Sequence, residues 1–244
     1  MVLAYYQALW QSGTDVDVVP VTADLSRYEV IVAPALHMLK GDLPERLTEV
    51  ARRGGSVLAT YLSGRVDEDD NAFLTDVPGP LGALLGIRID EWDAREPDVV
   101  NPVRLGDLEV PARLIFEIVI PQGADTVGTY QADFYAGTPA VTRNRVGDGD
   151  AWYVGTDLHQ EGISWIVRQI LQQHDLWGPY PDVPGLETAR RIGRDGRQLL
   201  FLLNHGSEPV QVIARQDATD LLTGSPVERG QPIRLDAHGV AIFQ

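Results

Sequence analysis

Four consecutive acids, Asp67, Glu68, Asp69 and Asp70, close the stretch SVLATYLSGRVDEDD (residues 56–70), one apolar run and a Gly64–Arg65 step after Ser56. Carboxylates at this density suggest glycosidic bond cleavage, cation binding, or a solvated loop read by another subunit. Cleavage needs two acids on opposite sides of one bond, about 5–5.5 Å apart for retention and 6.5–9.5 Å for inversion. Neighbours in one loop diverge and repel, so these four alone favour a solvated acidic loop. Asp67, Asp69 and Asn71 match the first three ligand positions of an EF-hand, but that loop also needs Gly at its sixth position and Glu at its twelfth. Ala72 and Pro78 stand there.

Other chemistry finds less support. The five histidines, His37, His159, His174, His205 and His238, include no pair at zinc spacing. Asp157, His159 and Glu161 alternate and could converge, yet a strand end leading into a helix uses the same residue types for capping. No metal is expected. The nearest approach to a nucleophile elbow, GISWI, lacks the second Gly and falls in a predicted helix. Neither a dinucleotide fingerprint nor a phosphate loop occurs, so no cofactor is expected. Among the aromatics, Tyr5, Tyr6, Trp10, Tyr61, Trp92, Phe134, Tyr135, Trp152, Tyr153, Trp165 and Trp177 could include sugar-stacking platforms, but most read as core or interface.

Composition narrows the classes further. Of 244 residues, 44% are hydrophobic and 23% charged, enough for a packed core. With 35 acids against 20 bases the formal charge is −15, which repels phosphate backbones and anionic membranes, so neither nucleic acid nor membrane is expected as a partner. The chain has no cysteine, which excludes disulfides, thiolate nucleophiles and thiolate zinc sites. No apolar run is long enough for a membrane helix and no secretory layout opens the chain. A cytoplasmic location is the simplest reading.

The elements that must position the acid loop follow from periodicity. Tyr5, Tyr6, Leu9 and Trp10 recur at helical spacing up to Gly13, and Val16, Val18 and Val19 predict a strand. YEVIVAPAL is a continuous apolar run suited to a parallel strand buried on both faces. GDLPERLTEVARRGG predicts a helix with Asp42 as N-cap, Pro44 in its first turn and Gly54 past its end. SVLATYL is the next strand. This succession predicts a doubly wound, mostly parallel α/β sheet. Beyond a short helix ending at Gly86 the pattern turns β-rich: IRIDEW, ARLIFEIVI, and a hairpin turning at Gly147, Asp148 and Gly149. A helix over 162–173 carries Ile163, Ile166, Ile170 and Leu171 on one face. WGPYPDVPG, with three prolines and two glycines in nine residues, predicts a domain boundary. Past it, LETARRI, QLLFLLNHG, PVQVIA, DLLTG and PIRLDAHGVAIF predict a small antiparallel β-sandwich.

Taken in order, YYQALWQSGTDVDVV, YEVIVAPALHML, GGSVLATYLSGRVDEDD, PGPLGALLGIRIDEWD, YAGTPAVTRNRVGDGDAWYVGT and the closing LLFLLNHGSEPVQV, DLLTG and LDAHGVAIF resemble the second and third domains of family 42 glycoside hydrolases, the β-galactosidases. The resemblance spans nearly the whole chain. It implies an α/β trimerisation domain over 1–177, similar to class I glutamine amidotransferases and with its first strand missing. A 178–185 linker and a small C-terminal β-domain over 186–244 follow. It also implies that the acid/base and nucleophile glutamates lie in a preceding (β/α)₈ barrel, which needs about 250 residues of its own. No catalytic residue is therefore assigned here. The empty strand slot implies filling by another chain or by sheet rearrangement, or else a piece that folds poorly alone, since a bare edge is a pairing hazard.

On this reading Ser63, Gly64, Arg65, Asp67 and Glu68 form a subunit-contact loop that helps wall the sugar pocket of a neighbouring barrel. The chain is expected to be the non-catalytic assembly portion of a retaining β-galactosidase, a homotrimer meeting galactoside only through the barrel. The alternatives are a stand-alone carbohydrate-binding or scaffolding protein, and an amidotransferase-like hydrolase that would need a nucleophile the sequence does not offer.

Overall fold

The structure, a computed structural model, describes residues 1–181 and 183–244. It divides into two units, Met1–Tyr5 with Val19–Ile170 and Tyr6–Val18 with Leu171–Gln244. Asp182, inside the expected linker, lies outside the described residues. Helices are α1 (Val2–Gln11), α2 (Leu43–Arg52), α3 (Gly82–Leu85) and α4 (Gln160–Gln173). None of the helices among the described residues is long and apolar enough to cross a membrane.

The first unit is built on a mixed nine-stranded sheet. Its strands are β1 (Val30–Ala33), β2 (Ser56–Thr60), β3 (Ile87–Ala94), β4 (Asn101–Leu105), β5 (Leu108–Pro121), β6 (Asp125–Tyr130), β7 (Pro139–Val146), β8 (Gly149–Val154) and β9 (Thr156–Leu158). Their order is β1-β2-β8-β7-β6-β4-β5-β3, with β9 also pairing β5. The expectation of a mostly parallel sheet is corrected: only β1–β2 and β2–β8 run parallel, and the other ladders are antiparallel. The reason lies in the connections. A parallel neighbour needs a crossover of a dozen or more residues, which the segment carrying α2 supplies between β1 and β2. The turns after β4 and β7 are too short for anything but an antiparallel return.

A second correction concerns Val16–Val19, which lie outside any strand, with Val18 exposed. β-Branched residues favour extended backbone, but a strand exists only where a neighbour completes its ladder. Among the described residues β1 is likewise paired on one side only, and all four of its residues are half-buried.

Helix ends follow the sequence closely. Gly86 ends α3 in the left-handed conformation at φ 63°, its N–H donating to the Gly82 carbonyl. Asp42 occupies the N-cap position of α2 but makes no capping bond. Its carboxylate instead accepts from Arg46 Nε one turn on, at 2.8 Å. The buried face of α2, with Leu43, Leu47, Val50 and Ala51, joins a core containing Val57 and Ala59 of β2 and Ala151 and Tyr153 of β8.

The second unit holds three small antiparallel sheets. β10 (Leu186–Ile192), β11 (Gln198–Asn204) and β16 (Val240–Phe243) form one, β12 (Val210–Ile213) and β15 (Pro232–Leu235) another, β13 (Ala218–Thr219) and β14 (Pro226–Val227) the third. Leu186, Leu202, Val212, Leu235 and Phe243 share its core with Tyr180. DLLTG, expected as an alternating segment, is the turn between β13 and β14. There Asp220 accepts from the Leu222 N–H at 3.0 Å and the Thr223 hydroxyl at 2.9 Å.

Candidate functional site

The acid loop leaves β2 at its C-terminal end, beside the loop leaving β1, and the two are laced together. Ala35 N–H donates to Thr60 Oγ1 at 2.8 Å, and Leu36 N–H donates to the fully buried Ser63 hydroxyl oxygen at 3.0 Å. Gly64 N–H donates to the Leu36 carbonyl at 2.9 Å and Arg65 N–H to His37 at 2.9 Å. These contacts leave Ser63 and Gly64 no role at the surface. Gly64 sits at φ 65°, and a Cβ there would stand 2.1 Å from the Pro78 carbonyl oxygen. Only glycine fits this approach.

The exposed tip turns on Asp67. Its Oδ1 accepts from the Asn71 N–H at 2.9 Å and the Asp69 N–H at 3.0 Å, while its own N–H donates to the Asn71 carbonyl at 2.9 Å. The Asn71 N–H, helped by that of Asp69, holds the Asp67 carboxyl below the usual aspartate range. That direction opposes what a general acid requires. Glu68 Oε2 accepts from Gly41 N–H at 3.1 Å, tying the tip to the segment before α2. Both carboxylates are thus occupied in shaping the loop. No group of three or more His, Asp or Glu among the described residues is placed to hold a metal ion.

The decisive partner is one the loop does not contain. Glu117, in β5, is fully buried. Its Oε1 accepts from Arg65 Nη2 at 2.5 Å and from the Leu62 N–H at 3.0 Å, and its Oε2 accepts from the Tyr153 hydroxyl at 2.5 Å. A buried carboxylate is tolerable only when paired and hydrogen-bonded, and three donors meet that demand. Burial, and then the Glu117 charge, push the Tyr153 hydroxyl well above its ordinary range, so it stays a donor. Arg65 is nearly as enclosed, its side chain 9% exposed, with its guanidinium carbon 4.4 Å from the centroid of the Trp92 ring. Trp92 and Glu117 are directly paired across β3 and β5. Sequence reasoning missed Glu117, although a lone acid inside ARLIFEIVI is itself a signal of a buried, paired charge.

Chemically, the arrangement fixes a loop. Glu117 is sealed from any substrate, and Asp67 and Glu68 are held by backbone donors. Of the five predicted residues, Ser63 and Gly64 are buried, Arg65 and Asp67 are half-buried, and Glu68 is exposed.

Residues 1–177 match the model of the β-galactosidase trimerisation domain of glycoside hydrolase family 42, and residues 185–244 match that of the β-galactosidase C-terminal domain. The chain belongs to this family. Family 42 relatives include β-galactosidase LacA of Lactobacillus acidophilus, 34% identical over 93% of this chain and 34% of its own length. β-Galactosidase BgaP of Planococcus sp. is 34% identical over 98% of this chain and 36% of its own length. Among solved structures, the β-galactosidase of Bacillus circulans sp. alkalophilus superposes with a TM-score of 0.94 at 29% identity, covering 99% of this chain and 36% of that one. The enzyme of Rahnella sp. R3 superposes at 0.92 with 32% identity, with the same coverage. The chain therefore spans about a third of the length of the family 42 proteins it matches, and corresponds to their trimerisation and C-terminal domains.

Proposed function

We propose that this chain is the non-catalytic assembly portion of a family 42 β-galactosidase that hydrolyses terminal β-galactosides, with retention, through two glutamates in a barrel domain. The domains run over 1–177 and 186–244, joined by the 178–185 linker. One observation carries the reading: the carboxylates of Asp67 and Glu68, and that of the buried Glu117 behind them, are engaged in holding backbone or Arg65. None is left as an acid/base pair flanking an open cleft.

Ser63, Gly64 and Arg65 set the loop's shape, and Asp67 and Glu68 present its tip to a neighbouring subunit in a homotrimer, where it encloses that subunit's sugar pocket. The parallel β1–β2–β8 segment with α2 against it supports a likeness to class I glutamine amidotransferases. With no cysteine, the domain cannot carry a thiol nucleophile. A chromogenic β-galactoside incubated with the purified chain should give no hydrolysis above buffer. Turnover by the chain would overturn the assignment.

A further inference from the structure

A cleft of about 350 Å³ opens on the first unit where residues 75–79, α3 with the start of β3, Gln122 beyond β5 and Asn144 of β7 meet. Its volume lies near the lower end of the ~300–1,000 Å³ found for small-molecule sites. That size suits a single sugar-sized ring.

The walls are tied together by the protein itself. Ile89 N–H donates to the Val77 carbonyl at 2.7 Å, and the Gln122 and Ala124 N–H groups both donate to the Gly86 carbonyl, at 2.6 and 3.2 Å. Asn144 lies against the α3 stop, where a Cβ on Gly86 would stand 2.5 Å from its Cγ. A cleft fixed in this way gives up little conformational freedom when a ligand enters.

The polar groups of the cleft differ from those of the acid loop. Asp67 and Glu68 are already engaged by backbone donors. In the cleft, the Asp76 carboxylate and the Gln122 side-chain amide have no hydrogen-bond or ion-pair partner among the described residues. Asn144 directs Nδ2 to the Leu84 carbonyl at 2.8 Å and the Ala83 carbonyl at 3.4 Å, which leaves Oδ1 as an acceptor. Arg88 pairs through Nη1 with Asp90, which leaves Nε and Nη2 as donors.

We propose that this cleft binds a small neutral polyhydroxylated molecule, a monosaccharide ring by class, through Asp76, Arg88, Gln122 and Asn144. Every hydroxyl of such a ring can both donate and accept. The cleft offers the complements side by side: acceptors on Asp76 and Asn144, donors on Arg88, and both on Gln122. Other ligand classes fit less well. An anion would meet Asp76 while Arg88 is already neutralised by Asp90. A calcium ion takes about 6–8 oxygen ligands and would find one free carboxylate.

Amide chemical-shift mapping of the 15N-labelled chain tests the proposal, with D-galactose, D-glucose and myo-inositol as probes and inorganic phosphate as the contrasting anion. At least one of the three polyols should give saturable shifts centred on residues 75–88, 122–124 and 144, and phosphate should give none there. Asp76→Ala should weaken that binding about tenfold, the scale of one lost hydrogen bond to a charged group. Gln122→Ala should weaken it a few-fold. Both side chains are exposed and make no bond within the protein, so far-UV circular dichroism of the two variants should match wild type. Asp98→Asn, at an exposed acid outside the cleft, should bind as wild type does. Absence of shifts for all three polyols at ~100 mM, where a millimolar Kd gives near saturation, would overturn the proposal. So would shifts confined to other parts of the chain, cleft shifts that both variants leave unchanged, or phosphate bound there in place of a polyol.

Discussion

Replacing Glu117 with alanine should destabilise the first unit by about 3–5 kcal/mol, the usual cost of stripping one partner from a buried ion pair. The substitution strands the enclosed Arg65 guanidinium and leaves the Leu62 N–H and Tyr153 hydroxyl without their acceptor. Removing both charges is a different matter. Well-packed apolar replacements of a buried pair are often neutral, so Glu117→Leu combined with Arg65→Met should cost much less than the sum of the single changes. Urea denaturation of the two single variants and the double variant measures the coupling directly. Additive losses would show that Glu117 and Arg65 do not depend on one another, and the loop would lose its internal anchor.

Gly64→Ala should be the most disruptive single substitution within the loop. Adopting φ 65° costs a non-glycine residue about 1–2 kcal/mol, and the new Cβ would also be driven to 2.1 Å from the Pro78 carbonyl oxygen. Backbone has to move, either at 62–65 or at Pro78. Gly137 supplies the comparison: it too has positive φ, at 83°, but a Cβ there meets nothing within 4 Å. Gly137→Ala therefore carries only the conformational cost. Thermal unfolding of both variants should show the larger loss at Gly64, accompanied by faster proteolytic cleavage within residues 62–70. Equal losses would mean that the Pro78 approach places no constraint on the loop.

These two residues also show what was legible in the sequence. Gly64 stands in a Ser-Gly-Arg step after an apolar strand, a visible turn signal, and the hairpin at Gly147–Gly149 and the α3 stop at Gly86 were equally plain because each is decided by local backbone sterics. Features set by distant partners were not legible. ARLIFEIVI is a strand in any arrangement, and nothing in its periodicity says that β3, β4 and β9 all run antiparallel to it. Val16–Val19 have strand propensity without a ladder. Glu117 pairs with Arg65 across 52 positions of sequence, so its role emerges only when β5 and the loop after β2 are brought together.

Residue spacing alone argues against catalysis by the acid loop. Mutual repulsion was the sequence argument. The structure adds that Asp67 is consumed by the Asn71 and Asp69 amides and Glu68 by the Gly41 amide. The charge that organises the site sits on a strand, out of solvent.

Assembly by the unit that carries this loop is the claim on which the rest depends, and the mass of the chain in solution tests it most directly. Multi-angle light scattering across a concentration series should return a mass approaching three times that of the 26.8 kDa chain. A constant mass of one chain at every concentration would contradict the account.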